Sequence, residues 1–321
     1  MRIVTAAALI VAVVVAAVAL AGSGSDAGTS GSWEPRAGSP LSRTEVAAAR
    51  IGRHVYVAGG FEERSGQTTA AVARYDLERD TWRRVRSLPI GVNHAAAAAS
   101  GGRLYVAGGY TEPRDFSRRT TALFRYDPSR DRWRRLRSAP TARAAHTMQA
   151  IGGRLYAVGG VDDSGPTGRL EAYDIRRNRW SRGPAMPTKR EHLASATAGG
   201  RLYVLAGRTG GGGNFTAMEA YDPRTRRWSK LPDMRKPRGG IAGAAVDSRR
   251  IVVFGGEEST GTIKDVELYD VAARSWSPLA DMRTPRHGLG GVAYRGRVYA
   301  LEGGPQPGFA FSNAVEVLSV P

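Results

Sequence analysis

The chain of 321 residues contains no cysteine. That absence removes thiol nucleophiles, thiolate zinc sites and disulfide staples, and it leaves the redox character of the compartment unreadable from composition. Also missing are an HExxH stretch, a GxSxG elbow and a phosphate-binding glycine loop; Gly210–Gly213 is a glycine run with no Lys-Ser or Lys-Thr after it. Asp162-Asp163 is too short an acidic run to argue a calcium site. No metal and no cofactor is therefore expected. What is plentiful is glycine, with 41 residues beside 17 proline and 41% hydrophobic residues, the composition of many short strands joined by turns. A chain this long buries a large core without staples.

The N-terminus carries the compartment signal. Arg2 gives a short positive start, Ile3 to Ala21 is almost wholly apolar, and Ala19-Leu20-Ala21 is a small-residue cleavage pattern. A Gly/Ser/Asp/Thr stretch follows. Residues 1–21 read as a signal peptide, or, since the run is long enough to cross a bilayer, as an uncleaved anchor. Either way the body is expected outside the membrane, secreted or anchored, with 22–32 as a flexible linker and 33–321 as the folded domain.

The six tryptophans, Trp33, Trp82, Trp133, Trp180, Trp228 and Trp276, are spaced by 49, 51, 47, 48 and 48 residues. Other positions keep step. Glycine pairs stand at Gly59-Gly60, Gly108-Gly109, Gly159-Gly160 and Gly255-Gly256, with Ala206-Gly207 and Glu302-Gly303 in the same place in two units. Tyr75, Tyr126, Tyr173, Tyr221 and Tyr269 each precede an aspartate and stand seven residues before a tryptophan. One unit shows the local logic. His146–Ile151 and Arg154–Val158 are strands around the two-residue turn Gly152-Gly153. Val161–Arg169 is a polar loop, Leu170–Tyr173 a third strand, Asp174–Arg179 a turn and Trp180–Arg182 a fourth strand. Four antiparallel strands in a repeat of this length describe a propeller blade, whose aromatics pack between sheets.

A double glycine ending the second strand, then a tyrosine, then a tryptophan, repeated from Trp33 to Pro321, resembles the kelch repeat. Tryptophan–aspartate repeats are shorter, and their signatures are absent. The resemblance implies an all-β, six-bladed kelch-type β-propeller. Its ends are complementary: Trp33 has no glycine pair before it, and Arg297–Gly304 has no tryptophan after it. The strand near Trp33 is therefore expected to complete the last blade beside Val315–Ser319, with one strand from the N-terminus and three from the C-terminus.

Strand order puts the loops joining strands two and three on one face with the segments joining successive units. Those loops are Phe61–Ala71, Tyr110–Thr121, Val161–Arg169, Arg208–Thr216, Glu257–Ile263 and Pro305–Asn313, and a ligand is expected at the channel mouth they surround. Ten residues after each tryptophan come Arg43, Val92, Arg143, Arg190, Arg238 and Arg286, with His94, His146, His192 and His287 close by. Two readings of this column stand: a ring gripping an anion or sugar acid, with His192 and His287, or side chains bonding main-chain carbonyls. Glu302, a carboxylate where glycine is normal, either faces the channel or makes a local ion pair.

The formal net charge is +18. Arginine clusters on the turns between strands three and four and on the outer strand, as at Arg130, Arg132, Arg134, Arg135 and Arg137, again at Arg176, Arg177, Arg179 and Arg182, and at Arg224, Arg226 and Arg227. The belt is either a solvated edge or an attractor of polyanions. Nucleic acid is not expected outside the cell, and a monomer is expected.

Two function classes follow. One is a binding module holding a protein or glycan, anionic ligands included, on the loop face. The other is a sugar-processing enzyme. Galactose oxidase-like copper enzymes resemble the chain in fold only, since their cofactor needs a cysteine. A resemblance to N-acetylneuraminate epimerase, a mutarotase, implies an acid–base pair, for which Glu302 and Glu191 are the candidates, with Arg190 or Arg286 on the substrate carboxylate. Fold alone does not choose.

Overall fold

In the computed structural model, residues 31–210 and 213–321 are described. The expected leader at 1–21, all but the end of the expected linker at 22–32, and part of the Gly210–Gly213 run lie outside them. Among the described residues every regular element is a β-strand.

Among the described residues most strands form six larger antiparallel sheets built to one plan, beside a small three-stranded sheet of Arg43–Thr44, Phe61–Glu62 and Gln67–Thr68 and a two-stranded one in the loop 161–169. Sheet one contains Ala47–Ile51, His54–Ala58, Val72–Asp76 and Thr81–Val85. Sheet two contains Ala96–Ser100, Arg103–Ala107, Leu123–Asp127 and Arg132–Arg135. Sheets three and four begin at Thr147–Ile151 and Ala194–Ala198 and end at Arg179–Arg182 and Arg227–Leu231. Sheet five runs from Gly239–Ala245 to Ser275–Leu279, with Gly261–Thr262 added at its edge. Sheet six contains Gly290–Tyr294, Arg297–Leu301 and Val315–Ser319, and its fourth strand is Glu34–Arg36, which pairs with Val315–Val317. Gly31 already lies against Ser319. Each first strand contacts the first strands of two neighbouring sheets, and that of sheet six contacts that of sheet one.

The repeat residues explain why sheets stack. Each tyrosine–tryptophan pair faces across strands three and four with ring centroids 4.8–5.2 Å apart. Each indole N–H then leaves its own sheet and donates at 2.8–2.9 Å to a carbonyl 43–47 residues earlier, from Trp82 to Ala37 through Trp276 to Pro232. Trp33 donates to Ala280 of sheet five in the same way. A tryptophan thus serves twice, as apolar filler and as an inter-sheet donor that leaves no buried N–H unpaired.

The glycine pairs answer to crowding. Gly59 and Gly60 have φ of 67° and 93°, and a Cβ on them would lie 2.2 Å from the Val92 carbonyl oxygen and 2.5 Å from that of Thr44. Ala206 and Glu302 hold the first-glycine place with φ of 49° and 56°, so the left-handed backbone persists there despite the side chain. The polar loop 161–169 carries a small hairpin, Val161–Asp162 with Gly165–Pro166.

Candidate functional site

The arginine column is interior. Arg43, Arg190, Arg238 and Arg286 are 0% exposed and Arg143 is 2% exposed. Each guanidinium bonds main-chain carbonyls of its own unit; Arg143, for example, donates to Gly159, Arg169 and Ala157. Each also meets a buried carboxylate: Arg143 with Glu171 at 2.9 Å, Arg190 with Glu219 at 3.0 Å, Arg238 with Glu267 at 2.6 Å and Arg286 with Glu316 at 3.0 Å. Burial pulls Arg190 down to about 10, which leaves it charged at neutral pH. With every such head sealed, the column does not present itself to a ligand at the mouth; it ties the entry segment of each unit to its second and third strands.

Two departures from this column explain each other. In sheet two the arginine is Val92 and the carboxylate position is Phe124, and both pack in one apolar cluster. In sheet one the carboxylate position is Ala73, and Arg43 takes its partner from sheet six: Nε and Nη2 reach Glu302 at 2.8 and 2.9 Å. Glu302 is 0% exposed and also accepts from Ser39 at 2.6 Å. It therefore does not face the channel, and a substrate has no access to it as an acid–base group.

Two residues after the column lies a different set. Glu45, His94, Ala145, His192, Gly240 and Gly288 all stand twelve residues after a tryptophan and all have φ between 51° and 67°. Their main chains are linked in sequence: each N–H from His94 to Gly288 donates at 2.9–3.1 Å to the carbonyl of the preceding member, and Val46 N–H donates to Gly288 at 3.2 Å. A Cβ on Gly288 would lie 2.6 Å from a Glu45 oxygen, so the side chain there has been traded for the Glu45 carboxylate. This collar borders a cavity of about 80 Å³, and two further cavities of about 120 and 270 Å³ follow it along the alanine-rich first strands.

The collar gathers charge. Glu45 Oε2 lies 3.2 Å from His94 Nε2, and Glu45 Oε1 lies 3.2 Å from His287 Nδ1. His287 is also 3.5 Å from Glu257. His192 Nδ1 meets Glu191, whose other oxygen accepts from Arg208 Nε at 3.1 Å, and Arg208 bonds Glu257 at 2.8 Å. Burial pushes the Glu45 carboxyl up, but the surrounding His94, His287 and His192 outweigh it and hold the group well below the usual carboxylate range. Burial lowers His94 to about 4, overcoming Glu45. His287 moves the other way, because Glu45 and Glu257 outweigh its burial. His146, without a carboxylate partner, is pulled down to about 3 by burial and then by Arg143. Of the residues singled out from sequence, His94, His192, His287 and Glu191 meet here.

Over the collar stands an aromatic group. Phe61, Phe116 and Phe309 lie within 4.9–6.4 Å of one another, and Phe116 and Tyr110 also contact the His94 ring. Phe116 and Phe309 are 47% and 53% exposed, so their stacked rings leave aromatic surface in contact with water. Both stand on loops expected to carry function. The segments entering each unit pair with those loops, as Asn93 does with Tyr110 and Glu191 with Arg208, so both line one face.

Reasoning from sequence missed the carboxylate partners and the collar. Glu171, Glu219 and Glu267 stand two residues before the repeat tyrosine, and Glu316 two before Leu318, a visible signal. The collar has only its offset from tryptophan, since its residue types differ from unit to unit.

A model of the KLHDC2/KLHL20/DRC7 Kelch-repeats domain matches residues 45–236, and a model of the Kelch motif matches residues 242–283. Kelch-like protein 26 of Mus musculus is 44% identical over 50 residues, which are 16% of this chain and 8% of that protein. The match thus spans a small part of that relative. With the family model covering more than half of the chain, and the glycine, tyrosine and tryptophan positions in register, the chain belongs to the kelch-repeat family.

Proposed function

We propose that this chain is an exported, six-bladed kelch propeller that binds a protein partner on the face bearing Phe116 and Phe309. Six sheets of one plan, the pairing of Glu34–Arg36 with Val315–Val317, and the Trp33 bond to Ala280 support six blades, the last completed by the N-terminal strand. Export rests on the apolar run after Arg2. Kelch repeats generally build protein-binding modules, which makes protein the favoured ligand class.

The carrying observation is the exposed pair Phe116 and Phe309, nearly parallel at 19° and 6.4 Å apart above the buried Phe61. Large aromatics held on a rigid base are the usual anchors of an interface. The net charge of +18 favours a partner with an acidic rim, which speeds encounter more than it tightens binding.

The test is photo-crosslinking from position 309, against position 224 on the outer edge, in the native cells, followed by binding to the purified partner. A protein captured from 309 and not from 224, whose affinity falls about 30-fold or more in the Phe116→Ala, Phe309→Ala chain, supports the reading. Capture from 224 alone, unchanged affinity in that chain, or a glycan as the only ligand overturns it.

A further inference from the structure

Glu45, His94 and His192 come from three different units, and one ligand atom of each lies within 4.8 Å of the other two. Hydrogen bonds around the two histidines show which ring nitrogens are left free. The Thr68 hydroxyl donates to the Glu112 carbonyl at 2.6 Å, so its oxygen accepts from Asn93 Nδ2 at 2.7 Å. This orients the Asn93 amide with Oδ1 toward His94 Nδ1 at 2.6 Å, an arrangement that requires the ring proton on Nδ1. In the neutral imidazole His94 Nε2 is then the lone pair, and it faces Glu45 Oε2 at 3.2 Å. Two acceptors meet with no hydrogen between them, in a place where His94 is only 8% exposed.

His192 repeats the pattern. Its Nδ1 is held by Glu191, itself fixed by Arg208, so Nε2 is again the free atom. The two rings lie with centroids 4.8 Å apart and planes at 77°. Histidines whose far nitrogen is tied to an amide or carboxylate, with the near one turned to a common point, are the arrangement by which proteins orient metal ligands.

We propose that Glu45, His94 and His192 form a binding site for one divalent first-row transition metal ion, zinc being the reference case, at the collar of the central channel. Two imidazoles and one carboxylate suit zinc, cobalt, nickel or iron(II), and are poor for magnesium or calcium, which prefer all-oxygen shells. Zinc bonds of about 2.0–2.1 Å set tetrahedral ligand atoms roughly 3.4 Å apart, so the three groups draw together by about 1.4 Å at most. The cavity of about 80 Å³ bordered by the same residues has room for the ion and water. The ion removes the clash between Nε2 and Oε2, while Glu45 Oε1 stays with His287. Three protein ligands leave a further coordination position for water or for a donor atom of a ligand.

The site does not depend on the protein-binding reading, because its ligands are set by residues beneath the aromatic group rather than by Phe116 or Phe309. The test uses the tag-free chain, treated with chelator and dialysed, then titrated with Zn²⁺ by calorimetry and with Co²⁺ by visible absorption. The expected result is one ion per chain. Glu45→Gln and His192→Gln should weaken binding at least 100-fold, and Asn93→Ala about 10-fold or more, since supporting residues contribute on that scale. His54→Gln, outside the cluster, should change nothing. Absence of one-to-one binding for Zn²⁺, Co²⁺, Ni²⁺ and Fe²⁺, or undiminished binding in folded Glu45→Gln and His192→Gln chains, overturns the proposal. Should either variant fail to fold, X-ray absorption of the zinc-loaded native chain decides: two imidazoles in the shell uphold the site, and none or one overturns it.

Discussion

Arg43 and Glu302 are 259 residues apart in sequence and share two hydrogen bonds, at 2.8 and 2.9 Å, with neither side chain reaching solvent. The contact joins the segment entering sheet one to the turn after the second strand of sheet six. Glu302→Gln keeps the shape and the backbone but leaves a buried guanidinium without its counter-charge. Breaking one side of such a pair costs about 3–5 kcal/mol. Urea unfolding should show that loss, and an unchanged midpoint would count against the pair as a tie between the two sheets.

The chain contains its own apolar alternative, Val92 with Phe124. Replacing a buried ion pair with packed apolar residues is often close to neutral, whereas removing one partner is not. The double substitution Arg286→Val, Glu316→Phe should therefore fall within about 1–2 kcal/mol of the native chain, while Glu316→Gln alone costs about 3 or more. A double variant worse than the single one would show that sheet two tolerates the exchange for reasons peculiar to its neighbours.

Deleting residues 33–40 removes Glu34–Arg36 from sheet six and the Trp33 donor to Ala280. A shared sheet couples the two ends of the domain, so one cooperative transition at lower temperature is expected, not fraying of one end. The milder Trp33→Phe keeps most of the ring and loses the bond to Ala280, about 1–2 kcal/mol including the carbonyl left unpaired. Calorimetry of both variants checks this; a deletion that melts like the native chain rules the coupling out.

Asp162 supplies a pH dependence away from the collar. Burial raises its pKa, but hydrogen bonds from Ser164 and Arg169 outweigh this and bring it down to about 2. A carboxyl lowered on folding stabilises fully above its ordinary value, near 3.8, and loses that contribution as pH falls through about 2. Between pH 4 and pH 2 the native chain should lose more stability than Asp162→Asn, measured as the shift in urea midpoint. Parallel losses would mean that other carboxylates carry the acid sensitivity.

Strand positions, the two-residue turn at Gly152-Gly153 and the faces of the loops were legible because each follows from local chemistry repeated in every unit. The start of the first strand in unit three is Thr147 rather than His146, a boundary set by where pairing begins. Arginine burial was less legible, since a recurring cation is compatible with a carbonyl-bonded interior or a ligand ring until its carboxylate partner is located. Glu302 shows the limit most clearly: its meaning lies in Ala73, which lacks the carboxylate present at Glu171 and Glu219. The collar was hidden for another reason. Its backbone conformation is common to all units, but the side chains are not, so periodicity is silent about a site assembled from the units' differences.

The linked amides and carbonyls of Glu45, His94, Ala145, His192, Gly240 and Gly288 act as a hoop of fixed circumference. Gene duplication easily adds a repeat to an open array, but in the six-bladed ring proposed above an extra unit would have to be spliced into that hoop and would pull the two histidines away from Glu45. Repeat number and the chemistry at the centre are therefore bound to each other, and evolutionary drift in one disturbs the other.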